Sequence, residues 1–382
     1  MADHIKDISF SPGLDGVPAC KSGIGYIDGT KGILEYRGYT IEDLAESSNF
    51  EETAYLLIDG VLPNKEQLDT FKQRLVSHRK LPPMIENVLR ALTKEGHPMD
   101  ALQVSIAALG HMLPFPENST KELNDEVSIQ LIAVLPTVIA AFHRIRNGLD
   151  IVQPDPTLSH AGNFLYMITG QKPTESDTRV MDICLILHAE HGLNASTFTA
   201  RVIGSTLADP FSSICGAAGA LTGSLHGGAN EAVVKMLQDI GSMENVRNYI
   251  LDKVSKKEKI MGMGHRVYKT KDPRATILQK IARDLFKNQN NEKLLQIAEE
   301  LEKVCLEILA PKGIYPNVDF YSGLVYRKLG IKADLHTCVF AASRVSGWMA
   351  HWIEQLDGNR IYRPSQIYEG GHSLPYIPIQ KR

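Results

Sequence analysis

Residues 213–225 read SICGAAGALTGSL, a run dominated by glycine and alanine. Small side chains let two helices approach closely, so this stretch belongs in a tight helix–helix seam. Its glycines each cost an isolated helix about 1 kcal/mol relative to alanine, so packing must hold it together. The expectation for the chain around it is therefore all-α.

On both sides the apolar residues recur at helical spacing. Thr40 stands three residues before Asp43, the pattern of an N-cap with an acidic third residue. FEETAYLLIDG (50–60) stops at Gly60, and NKEQLDTFKQRLVSHRK (64–80) starts at Asn64, a good cap. The spacing predicts further helices over Glu126–Asn147, kinked at Pro136, and over Met181–His191, Arg274–Lys287, Asn291–Leu309 and Leu335–Leu356. Leu294, Ile297, Leu301, Val304 and Ile308 form one stripe. Only SGIGYIDGTKGILEYRG (22–38) reads as strand, with short apolar pieces around DGTKG in the manner of a hairpin. The tail from Ile361 carries three prolines and two glycines and reads as an extended arm laid on a surface. The fold class is all-α with a small N-terminal β-hairpin.

The 382 residues, 43% of them apolar, can bury a large core. A net charge of −3 gives no general attraction for nucleic acid or an anionic membrane, so any anion site is local. Apolar runs such as IAVLPTVIAAF (132–142) are shorter than a bilayer span. The start, MADHIKDISFSPG, has no apolar core of a secretory signal, and Cys20, Cys184, Cys215, Cys305 and Cys338 have no paired spacing. Reduced thiols and a cytoplasmic location are expected.

Polar residues in four places do not fit a bland helix bundle. HAEHGLNAS (188–196) ends an apolar helix with two histidines, and SLHGGANEA (224–232) sets His226 before two glycines. IMGMGHRVYKTKDPRA (260–275) carries His265 and a basic run, and GIYPNVDFYSG (313–323) places Asp319 in a loop. Each has an ordinary reading. His188 and His191 have metal-pair spacing but no third ligand, so no metal site is expected. His226 can cap carbonyls at a helix end, Asp319 can cap a turn, and the glycines before His265 can form a simple turn. Those glycines are not a dinucleotide fingerprint, since no strand precedes them. Arg344, within the apolar AASRVSGW, is harder to dismiss, because a buried guanidinium needs a carboxylate from the protein or from a ligand. With Arg274 and Arg363 it suits a di- or tricarboxylate, and the basic run from Lys253 to Arg274 suits a phosphorylated second substrate.

SLHGGANE, MGMGHRVYKTKDPRA, GIYPNVDFYSG, SRVSGWMAHWIEQ and IYRPS, together with GIGYIDGTKGILEYRGYTIEDLA, resemble the citrate synthase family in order and spacing, across essentially the whole chain. The resemblance is to its short, dimeric prokaryotic type. It implies condensation of acetyl-CoA with oxaloacetate, with Asp319 as base, His226 as donor to the thioester oxygen and His265 as donor to the ketone. It further implies oxaloacetate contacts from His191, Arg274, Arg344 and, across a homodimer interface, Arg363. Arg74 is a weaker candidate for the same substrate. Coenzyme A, a substrate and not a tightly bound cofactor, would lie over Lys259, Ile260, Met261, Gly262, Met263, Gly264 and Asn317, with lysines in 253–271 near its phosphates. A large helical domain (1–226 and 332–382) and a small one (227–331) would close on the site. Arg266, after the histidine, leans the resemblance towards citrate synthase over 2-methylcitrate synthase, which would use propionyl-CoA. A non-catalytic scaffold or CoA-binding homologue is the remaining alternative.

Overall fold

The computed structural model describes residues 10–116, 119–287 and 293–382. Three short antiparallel strands come first, β1 (Gly25–Asp28), β2 (Ile33–Tyr36) and β3 (Tyr39–Thr40). β1 and β2 form the expected hairpin, with Asp28 opposite Ile33. Asp28 Oδ1 accepts from the N–H groups of Thr30 and Lys31, each at 3.0 Å, and this fixes the turn.

Sixteen α-helices follow among the described residues. They are α1 (Ile41–Ser47), α2 (Phe50–Asp59), α3 (Lys65–His78), α4 (Pro83–Ala91), α5 (Pro98–Met112), α6 (Lys121–Arg146), α7 (His160–Thr169) and α8 (Glu175–His188). The second half holds α9 (Ala195–Gly204), α10 (Pro210–Thr222), α11 (Ala229–Ile240), α12 (Met243–Ser255), α13 (Pro273–Phe286), α14 (Lys293–Leu309), α15 (Asp319–Lys328) and α16 (His336–Leu356). The predicted punctuation is present. Thr40 accepts from Asp43 N, Asn64 forms a capping box with Gln67, and Gly60 ends α2 in the left-handed region at φ 86°.

Several boundaries differ from the spacing. Thr120 caps α6, so the charged turn KELND (121–125) belongs to the helix, which continues through Pro136. By length and composition α6 is therefore long and apolar enough to cross a membrane, against the sequence reading, but 89% of its apolar window is buried among other helices. α8 starts at Glu175 and ends at His188, leaving Glu190 and His191 beyond it. Asp319 does not lie in a loop; it opens α15. The predicted start at Asn291 lies outside the described residues.

The glycine–alanine stretch is a seam, as read. α10 packs on α5 and α9. A Cβ at Gly216 would stand 2.2 Å from Ile203 Cδ1, and one at Gly219 would stand 2.9 Å from Gln103 Oε1. α16 is buried along almost its whole length against α2, α6, α8, α9 and α10, and both tryptophans, Trp348 and Trp352, lie on it. α11 to α15 pack mainly on one another, with α13 and α11 on α15 and α12 on α14. The arm is extended apart from a 3-10 turn at Ile379–Lys381, and every residue from Arg363 onward is exposed.

Candidate active site

The residues just past α8, the turn after α10, the loop before α13, the start of α15 and the middle of α16 come close to one another. Two of these segments are joined directly. Gly264 N–H donates to Tyr315 O at 2.8 Å, and Asn317 N–H donates to Gly262 O at 2.9 Å. Asn317 Nδ2 donates to Gly264 O, while its Oδ1 accepts from Asp319 N–H. One asparagine thus ties the histidine loop to the aspartate helix. Gly262 and Gly264 have φ of 75° and 90°, which favours glycine. At Gly262 a Cβ would also stand 2.8 Å from Val233 Cγ2 and 2.9 Å from Phe320 Cδ2, so packing on α11 and α15 requires that glycine.

The three histidines are neutral and two have a defined tautomer. Val267 and Tyr268 direct their N–H groups at His265 Nδ1, at 3.0 and 3.2 Å. An N–H donor meets only an unprotonated ring nitrogen, so His265 carries its proton on Nε2. Ser196 N–H points at His226 Nε2 at 3.3 Å, which leaves the His226 proton on Nδ1. Ser196 Oγ lies 2.8 Å from the same nitrogen and accepts from Trp348 Nε1. Burial, with nearby arginine charge, lowers His226 and His265 each to about 4 and holds His191 well below its usual value. His191 Nε2 sits 3.2 Å from the Tyr268 hydroxyl, and its ring centroid is 5.1 Å from that of His265.

The two arginines differ. Arg274 Nε and Nη2 donate to Asp272 Oδ1 and Oδ2 at 3.0 and 2.7 Å, a bidentate pair buried at the start of α13. Burial opposes the Arg274 charge, but Asp272 more than offsets it and the net shift is upward. Arg344 makes no ion pair with any described residue. Its Nε donates to His188 O at 2.6 Å, its guanidinium carbon lies 4.6 Å from the Phe340 ring centre, and burial lowers it to about 10. Its two Nη groups have no protein partner among the described residues. Of the two carboxylate sources the sequence left open, protein or ligand, the described residues supply none.

Asp319 is buried, and its Oδ1 has no hydrogen-bond partner among the described residues. Burial raises it to about 7, against the pull of Arg274 and Arg344. A carboxylate poised near neutrality in a cleft can take a proton. His191, His265 and Asp272 offer one donor atom each, all within 4.8 Å, a spacing a metal could use. Asp272 already gives both oxygens to Arg274, however, so a cation there would face a guanidinium.

His226, His265, Asp319, His191, Arg274 and Arg344 are thus brought together. His188 is a core histidine, with Nδ1 at 2.8 Å from Cys184 O. Arg74 is not brought to the cleft; it pairs with Glu126 on α6. Arg363 stands on the exposed arm and, among the described residues, its side chain bonds only Pro364 O. In the 259–264 stretch the Ile260 side chain is buried, so only its backbone can meet a ligand. Lys271 is not free for phosphate, since Nζ donates to the buried Glu302 at 2.5 Å. Lys253 is likewise paired, with Glu258. Sequence reading missed Asp272, Tyr268 and Ser196. Asp272 had a signal, the Asp-Pro that starts a helix two residues before Arg274; Tyr268 and Ser196 act only through tertiary contact.

The profile of the citrate synthase C-terminal domain matches residues 13–365. The chain is 53% identical to the citrate synthase of a Synechocystis strain, covering 98% of this chain and 94% of that protein. Among solved structures, citrate synthase from Thermotoga maritima superposes with a TM-score of 0.89 at 42% identity, covering 98% and 99% of the two chains. Citrate synthase from the archaeon Thermoplasma acidophilum, in a ternary complex with carboxymethyl coenzyme A and oxaloacetate, superposes with a TM-score of 0.94 at 35% identity, covering 98% and 100%.

Proposed function

The chain belongs to the citrate synthase family, and on that premise we propose that its cleft condenses acetyl-CoA with oxaloacetate and hydrolyses the product to citrate and CoA. The observation that carries this is Arg344, a buried cation with no ion-pair partner among the described residues, whose charge bears on His191, His226 and a carboxyl near neutrality, Asp319.

Oxaloacetate places its carboxylates on Arg344 and on the free edge of Arg274, with its ketone oxygen between His191 and His265. Asp319 takes a proton from the acetyl methyl group, and the His226 Nδ1–H donates to the thioester oxygen as negative charge builds there. The methyl carbon then bonds to the ketone carbon, the ketone oxygen takes the proton of His265 Nε2, and the proton held by Asp319 is returned to His265 through solvent, restoring both groups. Water finally cleaves the thioester, giving citrate and CoA. Neutral histidines suit this chemistry, because each must hold one proton at a known nitrogen. Coenzyme A lies over 259–264 and Asn317, the bracket that joins His265 to Asp319. The exposed lysines there, Lys257 and Lys259, are its phosphate partners in place of Lys253 and Lys271.

The large part (1–226 and 332–382) and the small part (227–331) close on the substrates. The active unit is a homodimer. An arm exposing Ile367, Tyr368, Leu374 and Tyr376 supports a partner that covers it and receives Arg363. Five unpaired thiols suit the cytoplasm.

Thiol release from acetyl-CoA or propionyl-CoA, with and without oxaloacetate, is the direct test. Oxaloacetate-dependent release favouring acetyl-CoA is expected; a preference for propionyl-CoA overturns the substrate assignment. Arg363→Ala should weaken oxaloacetate binding, and mixed dimers should keep partial activity. Activity that followed each chain's own Arg363 would end the shared-site reading.

A further inference from the structure

The tip of the β1–β2 hairpin touches the loop that carries His265. Gly29 O accepts from Lys269 N–H at 2.8 Å. A Cβ built on Gly29 would stand 2.1 Å from Val267 O and 2.6 Å from Val267 C, both backbone atoms that no side-chain rotation can move away. The φ of Gly29 lies outside the left-handed region, so space and not backbone conformation demands glycine here. Gly32 repeats the contact one turn further, where a Cβ would meet Thr270 Cγ2 at 2.9 Å. The peptides pressed by the hairpin are those that hold the histidine. Val267 and Tyr268 aim their N–H groups at His265 Nδ1, and the Tyr268 hydroxyl reaches His191.

We infer that Gly29 is a positioning residue for the condensation step: the hairpin tip seats the Val267–Tyr268 peptides, and these keep the His265 Nε2–H aimed at the ketone oxygen. The inference rests on the proposed function. It adds to it a reason for the small sheet in a helical protein, which is to brace the proton donor from the other side of the cleft. No hydrogen bond or ion pair among the described residues joins Asp319 or His226 to the hairpin tip, so removal of the methyl proton does not depend on it.

The test separates those two steps. Gly29→Ala and the control Gly23→Ala are compared with the unaltered protein. A Cβ at Gly23 meets nothing closer than an Arg37 nitrogen at 3.9 Å. Condensation is followed by thiol release at saturating oxaloacetate and acetyl-CoA. Proton removal is followed by exchange of acetyl-CoA methyl hydrogens into heavy water, with malate filling the oxaloacetate site without offering a ketone. Condensation by Gly29→Ala should fall by about 100-fold, the scale of a misplaced or lost proton donor. Methyl exchange should stay within about 3-fold, and Gly23→Ala should match the parent in both assays.

Equal loss of both reactions, or loss of neither, overturns the inference. A parent protein with no oxaloacetate-dependent thiol release overturns the proposed function itself, a distinct result. If thermal melting shows that Gly29→Ala does not fold, Asp28→Ala replaces it. Asp28 is half-buried, and its side chain bonds the N–H groups of Thr30 and Lys31 and pairs with the Lys31 ammonium at 3.4 Å. It should show a smaller loss, about 5-fold, again confined to condensation; a loss shared equally by exchange overturns the inference.

Discussion

The starts of α13 and α15 each bury an aspartate beside the same cleft, and they treat it in opposite ways. Asp272 is fully buried and satisfied, bonded to Arg274 through Nε, Nη2 and the backbone N–H. Asp319 is 8% exposed, and its Oδ1 has no partner among the described residues. The first carboxylate is gripped bidentately and orients the Arg274 guanidinium. The second is left near neutrality, able to gain and lose a proton. A buried polar group without a partner costs stability, so such an orphan marks where chemistry outweighs folding.

The sharpest break in this comparison is Asp319→Ala. Condensation should fall by about 1,000-fold, within the span of a lost general base, while oxaloacetate affinity changes by less than about 3-fold. Calorimetry alongside the thiol assay reads both; an unchanged rate removes Asp319 from the base role. The pH dependence follows with a definite sign. With Asp319 at about 7, kcat/KM should drop about tenfold per pH unit below 7. His226 and His265, at about 4, stay neutral through that range. Because burial raises Asp319, its ionisation destabilises the fold. The penalty is full above pH 7 and disappears as pH falls towards the carboxyl's ordinary value. Asp319→Asn should therefore be more stable than the parent at pH 8, with the gap narrowing by pH 5 in thermal melts. A gap that is the same at both pH values contradicts the raised pKa.

Asp272→Asn tests the other side. It keeps the shape and removes the charge that holds Arg274. KM for oxaloacetate should rise about 10-fold, with less change in kcat, and stability should fall by about 1–3 kcal/mol. If kcat falls as far as in Asp319→Ala while KM holds, the two aspartates do not divide the work as their bonding implies.

Much of this contrast was legible in the sequence, but unevenly. The caps at Thr40 and Asn64, the stop at Gly60, the hairpin and the seam follow from local chemistry, and all are present. The start of α6 was lost because KELND looks like solvated loop until Thr120 is seen to cap it. Arg344 was the one site residue that physics alone singled out, because an apolar helix left its charge no local partner. His226, His265 and Asp319 each had an ordinary reading, and only a family resemblance joined them. The bracket through Asn317, the support from Ser196 and the orphan Oδ1 of Asp319 all depend on segments far apart in the chain. No spacing rule encodes them.

Arg74 gives the smallest expected effect and the cleanest control. Family resemblance alone placed it near oxaloacetate, whereas the structure gives its guanidinium to Glu126, which also takes His78 at 2.6 Å. The pair is 39% and 42% exposed, so solvent screens it, and such pairs contribute about 0.2–1 kcal/mol. Arg74→Ala should lower stability by no more than that and leave KM for oxaloacetate within about 2-fold. A tenfold rise in KM would mean that Arg74 abandons Glu126 when substrate binds. The cleft would then hold a third arginine of its own, and its anion site would extend beyond the two helix starts that now define it.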